Sequence, residues 1–363
     1  MHKIKVLHCI PSLGGGGAER QLTYLSQEMV KQGLDVHVAY IYDGVNSNRL
    51  QASGATVHKL SISSNHDPRL FTKLAAIIWK VRPDIIQTWI TQMDIAGGSL
   101  AKMMRIPLII SERSSSLCYA DTWKDKLRLF VGEKASYIVA NSESGKDYWV
   151  GKGKHPDFIK TIRNAIPFEE IKETPVDTLG ALGVSPETEL IVFAGRYSAQ
   201  KNLHNLMQAL KQVLENRPRA SAFLFGDGPL KDELVTIQKQ LEFGNRLNIM
   251  GYSTDLWGIF KRANVFVSVS YYEGVPNTVL EAAVCMCPMV LSDIPEHREF
   301  LSEDAAYFVP THSPAEIANG IIKALSDSNE AKYKAQRGYH EISNWSVEIV
   351  SHEYINLYRT TIG

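Results

Sequence analysis

Two carboxylates, Glu273 and Glu281, stand eight residues apart where an apolar run gives way to a helical pattern. Such a run is typical of a buried parallel strand, so we expect Glu273 in the following loop and Glu281 on the next helix. Gly274 permits close approach of a ligand to the backbone, and Asn277 is a suitable helix cap. The amides of 278–280 would then be free for an anion. This combination suits a nucleotide-sugar, although an ordinary capped helix with two surface acids fits the same pattern.

Arg196 and Lys201 follow the first strand-like run of the second half of the chain. We expect them to converge at the carboxyl end of that strand, with Lys201 just before a helix. Departure of a nucleoside diphosphate develops negative charge, and fixed cations in a closed site stabilise such charge by ~3–4 kcal/mol each. The pair is therefore a candidate diphosphate site. Two solvated surface cations are the alternative.

The glycine-rich turn 14–17 lies between the first predicted strand and the first predicted helix. Glycines allow a tight turn whose amides can face a phosphate at the helix N-terminus. A dinucleotide-binding motif would match Gly14 and Gly16, but it needs a small residue where Glu19 stands; Asp43 could supply its ribose-binding acid. That interpretation stays open. A Walker loop is excluded because no Gly-Lys-Ser/Thr follows the turn.

Together, these elements resemble the retaining glycosyltransferases of family 4. The resemblance rests on Glu273-x7-Glu281, on Gly195-Arg196 followed by Lys201-Asn202, on Gly16-Gly17-Ala18-Glu19, and on Gly226-Asp227-Gly228-Pro229. It extends over nearly all of residues 1–363, and its motifs are more specific in the second half. It implies a GT-B fold, an α/β architecture in which two Rossmann-like, doubly wound lobes face each other across the cleft that holds the site.

The resemblance also implies roles for individual residues. Arg196 and Lys201 would hold the donor diphosphate in place of a metal, Glu273 would lie near the transferred sugar, and Glu281 would bind the ribose. The other expected donor-binding residues are Gly16, Gly17, Gly251, Tyr252, Gly274, Val275, Pro276, Asn277, Thr278 and Leu280. Gly17 would approach the diphosphate with its amide, and the backbone at 251–252 would meet the nucleobase. We expect no cofactor and no metal, and no Asp-x-Asp pair occurs in the chain.

Arg113 marks a departure from the family pattern. It stands close to the place where many members have a His that contacts the donor sugar. A guanidinium stays protonated, so Arg113 could bind phosphate or sugar oxygens but could not act as a general base. We include it among the catalytic candidates with Arg196, Lys201 and Glu273. The alternative is an ion pair of Arg113 with Glu112 or Asp121. The sequence around it is similar to that of enzymes that extend lipid-linked oligosaccharides.

Length and composition indicate an ordinary two-domain protein. The chain has 363 residues, 44% of them hydrophobic and 21% charged. No apolar stretch reaches the length of a membrane span, and the first residues run into a strand instead of a signal peptide. The four cysteines show no zinc-binding spacing. We therefore expect a cytoplasmic protein with reduced thiols.

Charge is distributed unevenly along the chain. Residues 1–168 contain 22 Lys and Arg against 14 Asp and Glu, a net charge of +8, and the remainder carries −8. A basic lobe could meet an anionic membrane surface or acceptor, which would make the protein peripheral on the inner face of the membrane. Random surface charge is the alternative.

Strand-like and helical patterns alternate throughout, which predicts parallel sheets covered by helices. The predicted strands are 5–10, 36–42, 56–60, 84–89, 107–111, 137–140 and 159–163, then 190–195, 220–226, 247–251, 265–270, 288–292 and 306–309. The Pro-containing segment 167–187 is the predicted linker. The lobes are then 1–168, on the acceptor side, and 169–343, on the donor side. The resemblance assigns the final helix, 344–363, to the first lobe.

The leading hypothesis is a metal-independent retaining glycosyltransferase. Its donor would be a nucleotide-diphosphate sugar, most simply a UDP-sugar. Its acceptor would be a cell-surface glycan or a lipid-linked saccharide, as in polysaccharide or lipopolysaccharide biosynthesis, and no nucleic acid is expected as a partner. A nucleotide-sugar epimerase of the same fold and a non-catalytic binding protein are the alternatives.

Overall fold

The computed structural model describes residues 3–62, 64, 67–113, 119, 122–176, 183–254 and 256–363. The chain divides into two compact units. The first unit consists of Met1–Ile166 and Trp345–Gly363, and the second of Pro167–Asn344. The last helix therefore belongs to the same unit as the first strand.

The first unit is built on a seven-stranded parallel sheet. Its strands are β1 (Lys5–Cys9), β2 (Asp35–Tyr40), β3 (Thr56–Lys59), β4 (Ile85–Trp89), β5 (Leu108–Glu112), β6 (Tyr137–Ala140) and β7 (Ile159–Thr161). They lie in the order β3-β2-β1-β4-β5-β6-β7. Its helices are α1 (Gly17–Lys31), α2 (Ser47–Ala52), α3 (Arg69–Val81), α4 (Thr91–Met104), α5 (Trp123–Glu133), α6 (Glu143–Gly151) and, at the chain end, α15 (Val347–Ile362).

The second unit is built on a six-stranded parallel sheet. Its strands are β8 (Glu189–Ala194), β9 (Ala220–Phe225), β10 (Leu247–Ile249), β11 (Val265–Ser268), β12 (Met289–Ser292) and β13 (Tyr307–Val309). They lie in the order β10-β9-β8-β11-β12-β13. Its helices are α7 (Phe168–Glu173), α8 (Leu203–Asn216), α9 (Lys231–Gln240), α10 (Trp257–Arg262), α11 (Asn277–Val284), α12 (Pro295–Arg298), α13 (Pro314–Ser326) and α14 (Ser328–Glu341).

Helices cover both faces of the first sheet, as an all-parallel sheet requires. All residues of β4 are buried. One face packs against α1 and α15, with Leu25 and Tyr358 in the same core cluster. The other packs against α3, α4 and α5, with Leu74, Met93 and Val131 in a second cluster. The first unit therefore has a separate core on each face of its sheet.

The strand order of each sheet reverses direction at one point, between β1 and β4 in the first unit and between β8 and β11 in the second. Open parallel sheets bind ligands beyond the carboxyl ends of the strands at such a point. The glycine-rich turn 14–17 follows β1, and the segment 195–202 follows β8. Glu273 follows β11. The topology thus places the glycine-rich turn at the first switch point, and Arg196, Lys201 and Glu273 at the second.

The structure confirms the predicted α/β class and each predicted strand, but it corrects two local predictions. Residues Phe168–Glu173, expected within a linker, form α7, whose Ile171 is fully buried and which packs on α11 in the second unit. The sequence predicted Asn277 as the N-cap of α11, but Pro276 is the N-cap and Asn277 is the first residue of the helix. No helix in the described ranges is both long and apolar enough to span a bilayer.

Candidate functional site

An ion pair joins the two loops at the switch point of the second sheet. Lys201 ends a short 3-10 turn, Ala199–Lys201, beyond β8, and Glu273 lies in the loop beyond β11. Lys201 Nζ is 2.5 Å from Glu273 Oε1, and the two side chains are only 14% and 6% exposed. Such a short, largely desolvated pair fixes both charges in position.

Further hydrogen bonds orient the Glu273 carboxylate. Ser270 Oγ donates to Oε1 at 2.5 Å, and Gln200 Nε2 donates to Oε2 at 3.3 Å and to the Tyr272 carbonyl at 2.8 Å. The Tyr271 amide donates to the Gln200 carbonyl at 2.9 Å. The loop carrying Lys201 and the loop carrying Glu273 are therefore locked together.

Sequence reasoning missed Glu296, which supports the same loop. It lies in α12, beyond β12, the neighbour of β11. Its carboxylate accepts hydrogen bonds from the backbone amides of Glu273 and of Glu296 itself. Burial raises the pKa of Glu296 despite these bonds, and the nearby Glu273 charge adds to the rise. The sequence feature that could have identified Glu296 is an acidic residue in the first turn of a helix that follows a strand.

His297 lies beside Glu296 and is fully buried. Its Nδ1 is 2.9 Å from the Ser292 carbonyl, whereas its Nε2 is buried and has no partner among the described residues. Burial lowers the pKa of His297, and the charges of Glu273 and Lys201 act on it in opposite directions. The imidazole is therefore held neutral close to the ion pair.

Arg196 differs from Lys201 in its surroundings. It follows β8 directly, its side chain is exposed, and it makes no ion pair within the described part of the chain. An unpaired guanidinium at the carboxyl end of a central strand can bind a diphosphate without first breaking an internal contact.

The loop after β9 packs tightly against the segment that carries Arg196. A Cβ on Gly226 would lie 1.9 Å from the Gly195 carbonyl oxygen, and one on Gly228 would lie 2.4 Å from the Tyr197 carbonyl oxygen. Gly226 has φ 156° and Gly228 has φ 155°, a backbone conformation that favours glycine. The Tyr197 amide donates to the Asp227 carbonyl at 2.9 Å. The glycines therefore fix the backbone on which Arg196 is mounted.

Gly251 and Tyr252, the predicted nucleobase contacts, follow β10 and are exposed. The Gly251 carbonyl accepts from the Gly226 amide at 3.1 Å, and Tyr197 Oη donates to the preceding Met250 carbonyl at 2.9 Å. These bonds tie the 250–252 backbone to the loop after β9, within the same unit as Arg196.

The start of α11 offers fewer amides than the sequence suggested. The Val279 and Leu280 amides donate to the Pro276 carbonyl at 3.1 and 3.3 Å, so the prediction that they are free is wrong. Of the three amides predicted to be available to an anion, that of Thr278 remains a candidate. Val275 and Pro276 are buried, whereas Gly274, Asn277 and Thr278 are partly accessible. Glu281 is 3% exposed on the first turns of α11.

In the first unit, the glycine-rich turn surrounds a buried acid. Gly16 is the N-cap of α1, Gly17 is its first residue, and Glu19 Oε1 accepts from Ser12 Oγ at 2.7 Å. A Cβ on Gly16 would lie 2.3 Å from Glu19 Oε2, so this position requires glycine or displacement of the acid. Asp43, considered as a ribose-binding acid, instead pairs with Lys59 and accepts from Tyr40.

Arg113 is held by a polar and aromatic cage in the first unit. Nη1 donates to Asn164 Oδ1 at 2.9 Å, Nη2 donates to Tyr354 Oη, and the guanidinium lies 4.9 Å from the Trp89 ring centroid. The alternative pairing with Glu112 is wrong, because Glu112 pairs with Arg128 Nη2 at 2.9 Å. Asp121 lies outside the described residues.

A strained residue at the first switch point was not foreseen. Ile90 directly follows β4 with φ +72° and ψ 137°, a conformation that β-branched residues rarely adopt. Its side chain is 39% exposed. The preceding residue, Trp89, donates from Nε1 to His8 Nδ1 at 3.3 Å. Strain of this kind is kept where the surrounding structure fixes the backbone, which marks 89–90 as part of a candidate site.

In the ranges that the structure describes, no group of His, Cys, Asp and Glu side chains is arranged to hold a metal ion.

Two family models cover most of the chain. The model described as Glycosyl transferases group 1 matches residues 180–341, and the model described as Glycosyltransferase Family 4 matches residues 15–170. The chain is a family 4 glycosyltransferase. The two matches correspond to the second and first units, respectively.

Two curated relatives of this glycosyltransferase have names that state a lipid-linked saccharide acceptor. The Escherichia coli UDP-Gal:alpha-D-GlcNAc-diphosphoundecaprenol alpha-1,3-galactosyltransferase is 22% identical, over 82% of this chain and 81% of that protein. The Campylobacter jejuni N-acetylgalactosamine-N,N'-diacetylbacillosaminyl-diphospho-undecaprenol 4-alpha-N-acetylgalactosaminyltransferase is 24% identical, over 90% and 93%.

A solved structure confirms the GT-B fold. Anabaena HepE in complex with UDP and glucose superposes with a TM-score of 0.88 at 19% identity, covering 98% of this chain and all of that one. At this identity, the likeness establishes the fold alone.

Proposed function

We propose that this glycosyltransferase moves a sugar from a UDP-sugar to a lipid-linked saccharide or cell-surface glycan, with retention and without a metal. The Lys201–Glu273 ion pair carries the proposal, because it holds a cation for phosphate beside a carboxylate for sugar hydroxyls. The UDP in the HepE complexes and the diphosphoundecaprenol acceptors named for the relatives support the donor and acceptor classes.

In the proposed site, Arg196 and Lys201 hold the donor diphosphate, and Glu273 orients the sugar. Glu281 binds the ribose, and the backbone of 251–252 meets the nucleobase. Gly274, Asn277 and Thr278 lie at the accessible start of α11, where partial positive charge favours phosphate. The first unit has candidate residues of its own, Gly16 and Gly17 at the N-terminus of α1 and Arg113, whose guanidinium is fixed by Asn164 and Tyr354.

The proposed reaction breaks the bond between the sugar C1 and the β-phosphate oxygen. The acceptor oxygen forms its bond to C1 on the same face, and its proton passes to the departing phosphate. The diphosphate leaves with the electron pair of the broken bond, so the cations stabilise the charge that develops there. Glu273 serves as a positioning carboxylate, since Lys201 and Ser270 already occupy its Oε1.

We further propose that the protein works in the cytoplasm at the inner face of the membrane, where a lipid-linked acceptor would be presented. The excess of basic residues in 1–168 supports this placement, since the cytoplasmic leaflet is anionic.

The decisive test is transfer from a panel of radiolabelled UDP-sugars to a short-chain lipid diphosphate saccharide. We expect Arg196→Ala to lower kcat by about 10²–10³-fold, because a fixed charge aimed at the leaving group is lost. Arg219→Ala is the matched control, since that side chain is 73% exposed in the same unit and should change little. Full transfer by Arg196→Ala would overturn the proposal.

The same assay tests the remaining features. Chelation should leave the rate unchanged, and a rate that is lost with chelator and restored by Mn²⁺ would overturn metal independence. The anomeric configuration of the product, read by NMR, tests retention. An altered free UDP-sugar formed without acceptor would indicate an epimerase instead.

A further inference from the structure

Two arginines of the first unit differ in the chemistry of their partners. Arg128 is buried and pairs with two carboxylates, Asp94 at 2.7 Å and Glu112 at 2.9 Å. Arg113, which directly follows β5, is partly buried, yet the side chains that contact it in the described ranges are all neutral. A charge removed from water is normally paired. Arg113 therefore keeps an uncompensated positive charge at the carboxyl end of a central strand.

Neutral groups fix the orientation of this guanidinium. Nη1 of Arg113 donates to Asn164 Oδ1 at 2.9 Å, Nη2 donates to Tyr354 Oη, and the Trp89 ring lies against the same group. Nε is buried and has no partner among the described residues. Two hydrogen bonds and one aromatic face therefore hold the charge in place.

The Tyr354 bond comes from α15, the last helix of the chain, and the start of this helix is anchored. The Ile166 amide donates to the Trp345 carbonyl at 2.8 Å, and the Val347 amide donates to the Ile166 carbonyl at 3.1 Å. These bonds join the start of α15 to the segment that carries Asn164. The two hydrogen-bonding partners of the guanidinium therefore belong to chain segments that are themselves bonded to each other.

Tyr354 orients the guanidinium without neutralising it. Burial raises the pKa of Tyr354, the Glu353 charge adds to the rise, and the Arg113 charge opposes it. The phenol therefore stays protonated, and its oxygen accepts the hydrogen bond as a neutral group. A carboxylate in the same place would hold the guanidinium but cancel its charge. The arrangement suits a cation that meets an anionic group of a substrate.

We propose that Tyr354 is a positioning residue for the reaction, which holds the Arg113 guanidinium in place and leaves its charge to a diphosphate oxygen of a substrate. The inference rests on the proposed function, which brings one diphosphate in the UDP-sugar and another in a lipid-linked acceptor. The last helix then contributes to the site as well as to the core of the first unit.

The first test removes only the hydroxyl of Tyr354. We expect Tyr354→Phe to lower kcat/KM for sugar transfer about ten-fold or more, because the guanidinium loses one of its two hydrogen bonds. Tyr358→Phe is the matched control and should transfer like the parent, since Tyr358 is equally buried on α15 but donates to Gln87. In an Arg113→Ala background, Tyr354→Phe should cause no further loss. Full transfer by Tyr354→Phe, or an equal loss in that background, would overturn the proposal.

Asn164→Asp tests whether the charge of Arg113 must stay uncompensated. The variant side chain has nearly the same shape, so it should keep the guanidinium in place and form an ion pair with it. We expect an unchanged or higher melting temperature, with transfer lowered about ten-fold or more. Full transfer would overturn the proposal, because a merely structural arginine tolerates the ion pair. KM measured separately for each substrate shows whether the donor or the acceptor supplies the diphosphate.

Nitrogen NMR of the arginine side chains gives a measurement that needs no activity. Arg113→Lys identifies the Arg113 signal. Rotation about the Nε–Cζ bond should be slow in the parent and in Tyr358→Phe, and faster in Tyr354→Phe. Equal rotation in the parent and Tyr354→Phe would overturn the positioning role. A parent protein that transfers no sugar would instead reject the proposed function, and the rotation alone would then decide the role of Tyr354.

Discussion

Glu273 is held through both its side chain and its backbone. Lys201 and Ser270 fix the carboxylate, and Glu296 accepts the Glu273 amide. Loops are usually more mobile than the elements that they connect. Here, however, both the carboxylate and the backbone amide of Glu273 are held by hydrogen bonds. Glu296 is therefore a positioning residue, and its effect on the reaction should pass through Glu273.

We expect Glu296→Ala to lower kcat by about ten- to a hundred-fold, because a misplaced Glu273 no longer orients the sugar. Glu296→Gln keeps an acceptor oxygen and should recover most of the rate. The measurement is steady-state kinetics with UDP-sugar, with KM for the donor followed separately. Equal losses in both variants, tracking a lower melting temperature, would show that Glu296 only stabilises the fold.

His8 makes the first unit sensitive to acid. Burial lowers the pKa of His8 to about 3, and its Nδ1 already accepts a hydrogen bond from Trp89. Between the ordinary value of 6.5 and about 3, the unfolded chain binds a proton that the folded chain does not. Folded-state stability should therefore fall as pH drops through this window, by up to about 1.4 kcal/mol per pH unit.

His8→Gln should flatten the dependence of the melting temperature on pH between about 6 and 4, since it removes this proton. His204→Gln, an exposed histidine paired with Glu233 in the second unit, is the control. Parallel pH profiles for His8→Gln and the parent would contradict the assignment.

At the scale of elements, the loop after β9 is the least tolerant connection near Arg196. Gly226→Ala places a Cβ 1.9 Å from a backbone oxygen, so the chain must shift. We expect a loss of about 2 kcal/mol or more in stability. The control is Gly151→Ala at the end of α6, where a Cβ meets nothing within 4 Å. Thermal unfolding measures both, and equal melting temperatures would contradict the expectation.

The alternation of apolar runs and helical patterns predicted both sheets, because a parallel strand that is buried on both faces requires a nearly continuous apolar sequence. The local start of α11 was mispredicted, since Asn277 is a good cap but Pro276 takes that position. Glu296 was missed because its contact with the Glu273 amide joins residues from different loops. The strain at Ile90 depends on tertiary packing, which a single sequence does not reveal.

At the scale of the whole molecule, the chain leaves its first unit at Ile166 and returns to it at Trp345. Helix α15 then completes a core cluster with Val350, Tyr354, Ile355, Leu357 and Tyr358. Burial of each such side chain contributes about 1.5–3 kcal/mol, so their sum rivals the stability of an entire domain.

Truncation after Asn344 should therefore unfold the first unit while leaving the second folded. Limited proteolysis followed by mass spectrometry should show cleavage throughout 1–166 and protection of the 183–344 region. As a control, residues 167–344 produced alone should unfold cooperatively on heating, because that unit is continuous in sequence. A truncated protein with a protected first unit would refute this dependence.

The internal pairing of Lys201 with Glu273 has a consequence for turnover. A diphosphate that engages the ammonium draws it away from the carboxylate, which then needs new hydrogen-bond donors. The hydroxyls of an attached hexose can supply them, whereas spent nucleotide cannot. We therefore expect the enzyme to bind the intact donor more tightly than UDP. Transfer of the hexose would then weaken product binding and promote release of UDP.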